Sequence, residues 1–187
     1  MHSAFYIDFV VSQQPDLDLA PRVLRNQVYG VLHGAFRQQP QTFALALPEQ
    51  YPHILRVFAA SEAALTWLHQ AVSAHWKVRD YCTIRPIRAV GEHQGAWVSY
   101  KRFRVPSAKS DRNATDPSQS LGARRLSQAA DQKKPYLQVQ SRSTQQRFTI
   151  FVDTVVATQA GDGLPDGYGL ARSQHPFAVP LLAYHDE

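Results

Sequence analysis

The sequence predicts an α+β protein that begins with a ferredoxin-like domain, and two observations support this. Apolar residues alternate over 4–11, with Phe5, Ile7 and Phe9 on one face, which is typical of a β-strand. Over 19–37 the apolar period becomes helical, and the two patterns then follow one another in the order β-α-β-β-α-β over about 90 residues. That order is typical of a ferredoxin-like sheet with both helices on one face.

Local signals justify the elements of this first half. Pro21 is tolerated in the first turn of the first helix, and Pro40 ends that helix. Ser61 can cap a second helix, and Pro86 indicates that the last strand lies at an edge of the sheet. The predicted elements are a strand at 4–11, a helix at 19–37, strands at 42–47 and 53–60, a helix from 61, and a strand at 82–90.

The second half has a less regular pattern. Its predicted elements are a strand or extended arm at 96–105, a polar, mobile loop at 106–119, a short helix at 120–132, strands at 136–142 and 147–156, a loop at 160–167 and a terminal segment at 168–180. We therefore predict two domains. Residues 1–95 form the N-terminal ferredoxin-like (βαββαβ) domain, and residues 96–187 form a smaller, irregular, degraded ferredoxin-like domain.

The positive charge is concentrated in the second half. Residues 99–147 contain eleven lysines and arginines against three aspartates, whereas residues 1–98 contain eight basic and seven acidic residues. Such a block is typical of a protein that binds a polyanion, although a solvated basic surface would look the same. The single cysteine, Cys82, excludes an internal disulfide and a cysteine-based zinc cluster. With no long apolar run and no signal peptide, we expect a cytoplasmic protein without a membrane segment.

His33 is the most informative of the histidines. On a helical wheel it falls about 170–180° from the apolar face of its helix, so we predict that it is not a core residue. Gly30 and Gly34 flank it, and each glycine costs a helix about 1 kcal/mol relative to alanine. Close approach of a ligand backbone would explain that cost. The alternative is a histidine that is simply exposed.

Three further residues have hydroxyl groups in suggestive positions. Ser141 and Ser143 lie in the segment SRSTQQRF, where a strand would point both to the same face, beside cationic side chains suited to a phosphate. Tyr168 lies between two glycines in DGYGLA, where its phenol could contact a substrate. An ordinary polar strand face and a tyrosine packed on a loop are the alternatives.

Other kinds of site are not indicated. The sequence has no glycine-rich phosphate loop, no H-E-x-x-H motif and no cluster of carboxylates suited to two metal ions. We therefore expect no metal and no cofactor. If the protein is a nuclease, we expect it to use the 2′-OH of RNA as the nucleophile, with a base to deprotonate it and donors to stabilise the phosphorane. The products would be a 2′,3′-cyclic phosphate and a 5′-OH.

Three segments resemble a known family. PYLQVQSRSTQQRFTIFV, DGYGLARSQHPFAVP and the helical VYGVLHGAF are similar to segments of the repeat-processing endoribonucleases of type I-F CRISPR systems, the Csy-type family. The resemblance implies a metal-independent endoribonuclease. It would cleave the CRISPR repeat transcript at the 3′ base of its stem-loop and stay bound to the crRNA. It would then be a subunit of the surveillance complex, beside the backbone-forming protein.

The resemblance also implies roles for individual residues. His33 would be the catalytic histidine, Ser141 would hold the 2′-OH, and Ser143 and Tyr168 would complete the active site. Phe148 would stack under the base of the RNA stem. The candidate basic RNA-binding residues are Lys101, Arg102, Arg104, Lys109, Arg124, Arg125 and Arg147. Two other functions remain open: a hairpin-capping protein that binds without cleaving, and a ferredoxin-like RNA- or protein-binding module unrelated to CRISPR.

Overall fold

The described part of the chain forms two antiparallel β-sheets and four helices. A computed structural model describes residues 2–13, 21–106, 120–140 and 145–184. The first half contains β1 (Phe5–Val11), α1 (Pro21–Phe36), β2 (Ala44–Ala46), β3 (Ile54–Ala59), α2 (Glu62–Ser73), α3 (Trp76–Tyr81), β4 (Cys82–Ile84) and β5 (Arg88–Ala89). The second half contains β6 (Trp97–Phe103), α4 (Leu121–Asp131), β7 (Tyr136–Gln140), β8 (Arg147–Ala157) and β9 (Val179–Pro180).

The first sheet has the strand order β2-β3-β1-β4, and β5 also pairs with β1. In the centre of this sheet Phe9 lies opposite Leu55 on one side and Ile84 on the other, and all pairings are antiparallel. Ser61 caps α2 as predicted, because its Oγ accepts a hydrogen bond from the N–H of Ala64 at 3.3 Å. The architecture is therefore α+β and compatible with a ferredoxin-like fold.

The segment that follows α2 differs from the prediction. The single strand expected at 82–90 is two short strands, β4 and β5, because Pro86 lies between them and cannot donate a ladder hydrogen bond. The six-residue helix α3 was not predicted, since it is too short to show a helical period. His75 caps this helix: its Nδ1 accepts a hydrogen bond from the N–H of Lys77 at 3.2 Å.

The second sheet has the strand order β7-β8-β6-β9, which corresponds to the order of the first sheet. Residues 158–178 connect β8 to β9, where a ferredoxin-like unit would have its second helix, and they contain no helix. The helix predicted at 120–132 is confirmed, with the Oγ of Ser120 accepting from the N–H of Ala123 at 3.0 Å. Residues 107–119 of the loop predicted at 106–119, and the end of the strand predicted at 136–142, lie outside the described residues. No helix in the described part of the chain is long and apolar enough to span a membrane.

Helix α1 joins the two sheets. Beyond its apolar face it also buries Arg25 and Asn26, whose partners belong to both halves of the chain. Arg25 donates to the carbonyl oxygens of Pro52 at 2.9 Å and Tyr136 at 3.0 Å, and Asn26 Oδ1 accepts from the N–H of Gln138 at 3.3 Å. One continuous apolar core therefore extends from the first sheet through α1 to the second sheet.

The end of the chain is attached to the first sheet through a buried ion pair. Arg56 and Asp8 are 3% and 5% exposed, and Arg56 donates to both carboxylate oxygens of Asp8 at 2.7 Å. The same guanidinium donates to the carbonyl oxygen of Leu182 at 2.8 Å and lies 4.6 Å from the ring centroid of Tyr6. Its donors are thus shared between the sheet and the segment that follows β9.

Replacing Arg56 with methionine is expected to destabilise the fold strongly. The variant R56M leaves the carboxylate of Asp8 buried and unpaired, which costs about 3–5 kcal/mol. Denaturant unfolding followed by circular dichroism measures the change. As a matched control, Arg79 pairs with Asp80 on the surface, with side chains 66% and 42% exposed. R79M should leave the unfolding midpoint unchanged, and equal effects of the two variants would contradict the expectation.

Candidate active site

His33 lies in an aromatic cluster, not on an exposed helix face. Its ring is stacked on that of Tyr168, with centroids 5.0 Å apart and planes 10° apart, and the ring of Tyr29 is 6.1 Å away. His33 is half-buried. The helical wheel missed this because it considered a single apolar face of α1. The structure instead covers the flank of α1 with the loop that carries Tyr168.

That loop is held in place by the side chain of Asp166. Its Oδ1 accepts hydrogen bonds from the backbone N–H groups of Tyr168 at 2.8 Å and Leu170 at 2.9 Å. Gly169 has a φ of +79°, and a Cβ at this position would lie 3.0 Å from the Cβ of Leu45. The close approach is fixed by a hydrogen bond from the N–H of Leu45 to the carbonyl oxygen of Gly169 at 2.8 Å. Glycine is therefore required where the loop meets the first sheet.

Tyr29 attaches the same loop to α1. It is fully buried, and its phenolic hydroxyl donates a hydrogen bond to the carbonyl oxygen of Tyr168 at 3.1 Å. Burial raises the pKa of Tyr29 well above its ordinary value, with smaller contributions from the charges of Asp166 and Tyr168. The phenol therefore remains a neutral donor at all physiological pH values.

Two residues of the second sheet complete the surroundings of Tyr168. The ring of Phe148 meets it edge-on, with centroids 6.3 Å apart and planes 82° apart. The guanidinium carbon of Arg102 lies 5.7 Å from the Tyr168 centroid. Tyr29, His33, Phe148 and Tyr168 form what we call the aromatic cluster. Three of its four members, His33, Phe148 and Tyr168, were predicted site residues from distant parts of the sequence.

Opposing effects act on the carboxyl group of Asp166. Desolvation raises its pKa, whereas the two backbone hydrogen bonds and the positive charges of Arg102 and Arg172 act in the opposite direction. Desolvation is the largest effect, so the pKa of Asp166 is above its ordinary value. The negative charge of Asp166 is therefore disfavoured in the folded protein, although its Oδ1 accepts two hydrogen bonds that hold the loop.

A groove of about 680 Å³ extends from His33 along α1. One wall is the start of α3, the other is formed by β7 and the start of β8, and we call this feature the α1–α3 groove. Among the described residues that line it, none is acidic, and three are basic: Arg37, Lys77 and Arg147. A Cβ added at Gly30 would meet nothing within 4 Å, so the groove is open beside α1 at this position. An anionic chain is the ligand that this lining favours.

The predicted serines cannot be placed. Ser141 and Ser143 lie outside the described residues, as does Lys109. The two residues that flank the serine segment in the chain, Gln140 and Gln145, both line the α1–α3 groove.

The predicted basic residues do not form one cluster with His33. Arg104, Arg124, Arg125 and Arg147 are exposed, and Lys101 is half-buried. The guanidinium carbon of Arg125 lies 4.8 Å from the ring centroid of Phe103. Because neighbouring residues of a strand point to opposite faces, α4 lies on the face of β6 opposite to that of Arg102. An RNA that contacted both would have to pass around an edge of this sheet.

Sequence reasoning missed three residues of the site and its surroundings. Tyr29 was not distinguished from other apolar positions of α1. Asp166 precedes Gly167 in a dipeptide that is typical of turns, and this signal could have identified it. Trp76, which lines the groove while remaining 49% exposed, lies in the unpredicted helix α3. Among the described residues, no group of three or more His, Cys, Asp and Glu side chains is arranged to hold a metal ion.

An α+β fold with antiparallel sheets that carries a histidine in a groove lined by basic side chains is suited to binding an anionic ligand. The chain belongs to the Cas_Csy4 family of CRISPR-associated proteins, whose family model matches residues 6–181. Membership of this family indicates a role in CRISPR-associated RNA processing. A comparison with curated proteins found no match.

Two substitutions of Asp166 are expected to have different effects. D166A removes the acceptor of two backbone N–H groups and should destabilise the protein by about 1–3 kcal/mol. D166N retains Oδ1 and removes a carboxyl group whose pKa is raised on folding. It should therefore be at least as stable as the wild type at pH 7, and the advantage should vanish below about pH 4, where the wild-type carboxyl is protonated in both states. Denaturant unfolding at both pH values measures this, and equal losses for the two variants at pH 7 would contradict it.

Proposed function

We propose that this protein is a metal-independent endoribonuclease that cleaves the CRISPR repeat transcript at the 3′ base of its stem-loop. It then stays bound to the crRNA as a cytoplasmic subunit of the surveillance complex, beside the backbone-forming protein. The observation that carries the proposal is the stacking of His33 on Tyr168 beside a groove whose described lining residues include no acidic side chain. Family membership supports the RNA substrate.

The proposed reaction needs no external nucleophile. The 2′-OH of the nucleotide before the cleavage site attacks the adjacent phosphorus, and the bond from phosphorus to the 5′ oxygen of the next nucleotide breaks. His33 takes the proton of the 2′-OH, and the leaving 5′ oxygen takes a proton from a water molecule. Tyr168 positions His33, because the stacked rings leave the imidazole little freedom to rotate. The hydroxyls of Ser141 and Ser143 would hold the 2′-OH and the phosphate.

RNA binding is proposed to involve mainly the second half of the chain. Phe148 is partly buried at the edge of the aromatic cluster and would offer a ring to the last base pair of the stem. The exposed arginines of β6 and α4 would contact phosphates and base edges of the hairpin. In this view residues 1–95 supply the catalytic histidine and residues 96–187, a shortened ferredoxin-like domain, supply most of the RNA contacts.

The first experiment is cleavage of the repeat stem-loop in EDTA, beside the same RNA with a 2′-deoxy sugar at the scissile position. We expect cleavage in EDTA, with a 2′,3′-cyclic phosphate and a 5′-OH as products. No cleavage is expected with the deoxy sugar, which lacks the nucleophile. Product ends are identified by mass spectrometry.

Other outcomes of this assay lead to different conclusions. Tight binding of the hairpin without cleavage would favour a capping protein that binds without cleaving. Cleavage of the deoxy RNA would contradict attack by the 2′-OH. If the protein neither cuts the hairpin nor prefers it over a scrambled RNA, the proposed function is wrong.

Replacing His33 with alanine should reduce the single-turnover cleavage rate by about 10²–10⁴-fold, because the variant lacks the general base. Binding of the 2′-deoxy hairpin should change little. The wild-type rate should rise with pH through the range in which imidazoles lose their proton, and the remaining activity of H33A should lack this rise. H69A is the matched control, since His69 is exposed on α2 and does not line the groove. A wild-type rate that is flat from pH 5.5 to 8.5 would show that His33 is not the base.

A further inference from the structure

We propose that the α1–α3 groove binds the single-stranded RNA on the 3′ side of the scissile phosphate, with one base stacked on Trp76 and the backbone beside Lys77 and Arg37. The direction in which the RNA runs is inferred from the proposed function and rests on it. That the groove binds RNA is inferred from the residues that line it.

Trp76 offers an aromatic surface at the wall of the groove. It is the first residue of α3, and it remains 49% exposed although it is one of the largest apolar side chains. Its orientation is supported by Tyr81, whose ring meets it at 68° with centroids 6.1 Å apart. An exposed tryptophan held by its neighbours is suited to stacking with a nucleobase, which is the main sequence-independent contact of single-stranded RNA.

Positive charge accompanies this aromatic surface. The Nζ of Lys77 lies 5.5 Å from the Trp76 ring centroid, and Arg37 lines the same groove beyond the end of α1. Arg147 lies on the opposite wall. A groove with a stacking residue and cations, and with no acidic side chain among its described lining residues, is complementary to an RNA backbone with unpaired bases.

The position of His33 indicates the direction in which the RNA strand runs. Phe148 and Arg102 contact Tyr168 and do not line the groove, whereas His33 contacts Tyr168 and lines the groove as well. If the stem is held on the Tyr168 side, the chain that continues past the scissile phosphate leaves along the groove. Gly30 leaves open space beside α1 along this path.

This arrangement distinguishes substrate from product. The uncleaved RNA would contact both sides of His33, and the retained hairpin would contact only the Tyr168 side. The groove would therefore contribute to binding before cleavage and not afterwards, so the 3′ fragment would be released while the hairpin stays bound.

The test compares two non-cleavable RNAs, both with a 2′-deoxy sugar at the scissile position. One ends at the scissile phosphate, and the other continues with a short single-stranded 3′ extension. At a fixed salt concentration, the extension should tighten binding about ten-fold, as expected for one stacked base and its phosphate contacts. W76A should lose this gain and bind both RNAs equally, whereas W76F should retain part of it.

Two further variants separate the groove from general effects. G30A adds a methyl group to the groove without a clash inside the protein, and it should reduce the gain while favouring the helix. K77Q should also reduce the gain, whereas R79Q, on the same short helix but outside the groove lining, should not. Circular dichroism of each variant confirms that it is folded.

Each outcome decides a different point. If wild-type protein binds and cleaves the hairpin but gains nothing from the extension, the groove proposal is wrong and the proposed function stands. A gain that persists in W76A would also overturn it. If neither RNA binds, both proposals fail. If an unstructured RNA alone binds in a Trp76-dependent manner while the hairpin does not, the groove is supported and the hairpin function is contradicted.

Discussion

The packing of α1 between the two sheets is the constraint on which the rest of the site depends. A guanidinium on this helix, that of Arg25, donates to the carbonyl oxygen of Pro52 in the first half and to that of Tyr136 in the second. Burial lowers the pKa of Arg25, and the charge of Arg22 lowers it further, so these carbonyl oxygens must compensate for the lost hydration. The helix is therefore fixed relative to both sheets, and with it the position of His33.

The loop at 166–171 carries Tyr168, whose ring stacks on His33 and so fixes the surroundings of the imidazole. It is held from three directions: by Asp166 within the loop, by the phenol of Tyr29 on α1, and by the backbone of Leu45 in the first sheet. The backbone that carries Tyr168 is therefore held against α1 and the first sheet, and its ring lies against the imidazole. Because the side chains that determine this geometry are buried or bound to backbone groups, the protein itself aligns His33, as its proposed role as a general base requires.

The sequence predicted the elements whose signals are local, and it failed where distant segments meet. The hydroxyl of Ser61 caps α2 as expected, because the signal lies within one turn. The half-buried position of His33 could not be predicted, since the ring that covers it belongs to Tyr168, far away in the sequence, and the period of α1 contains no signal for that contact. Helix α3 was missed because six residues are too few to show a hydrophobic period. Without α3 the wall containing Trp76 could not be anticipated, and neither could the groove.

Under the two proposals, the placement of His33 between the aromatic cluster and the α1–α3 groove would connect catalysis with retention of the product. Contacts on the Tyr168 side would be made by the parts of the RNA that remain after cleavage, and contacts in the groove by the part that departs. Stabilising the departing strand too strongly would prevent its release, and the groove accordingly offers one exposed tryptophan and separated cations instead of an enclosed pocket. Because phosphate contacts weaken with salt and stacking on one ring contributes only about 1–3 kcal/mol, these contacts would align the scissile phosphate against His33 without holding the 3′ fragment afterwards.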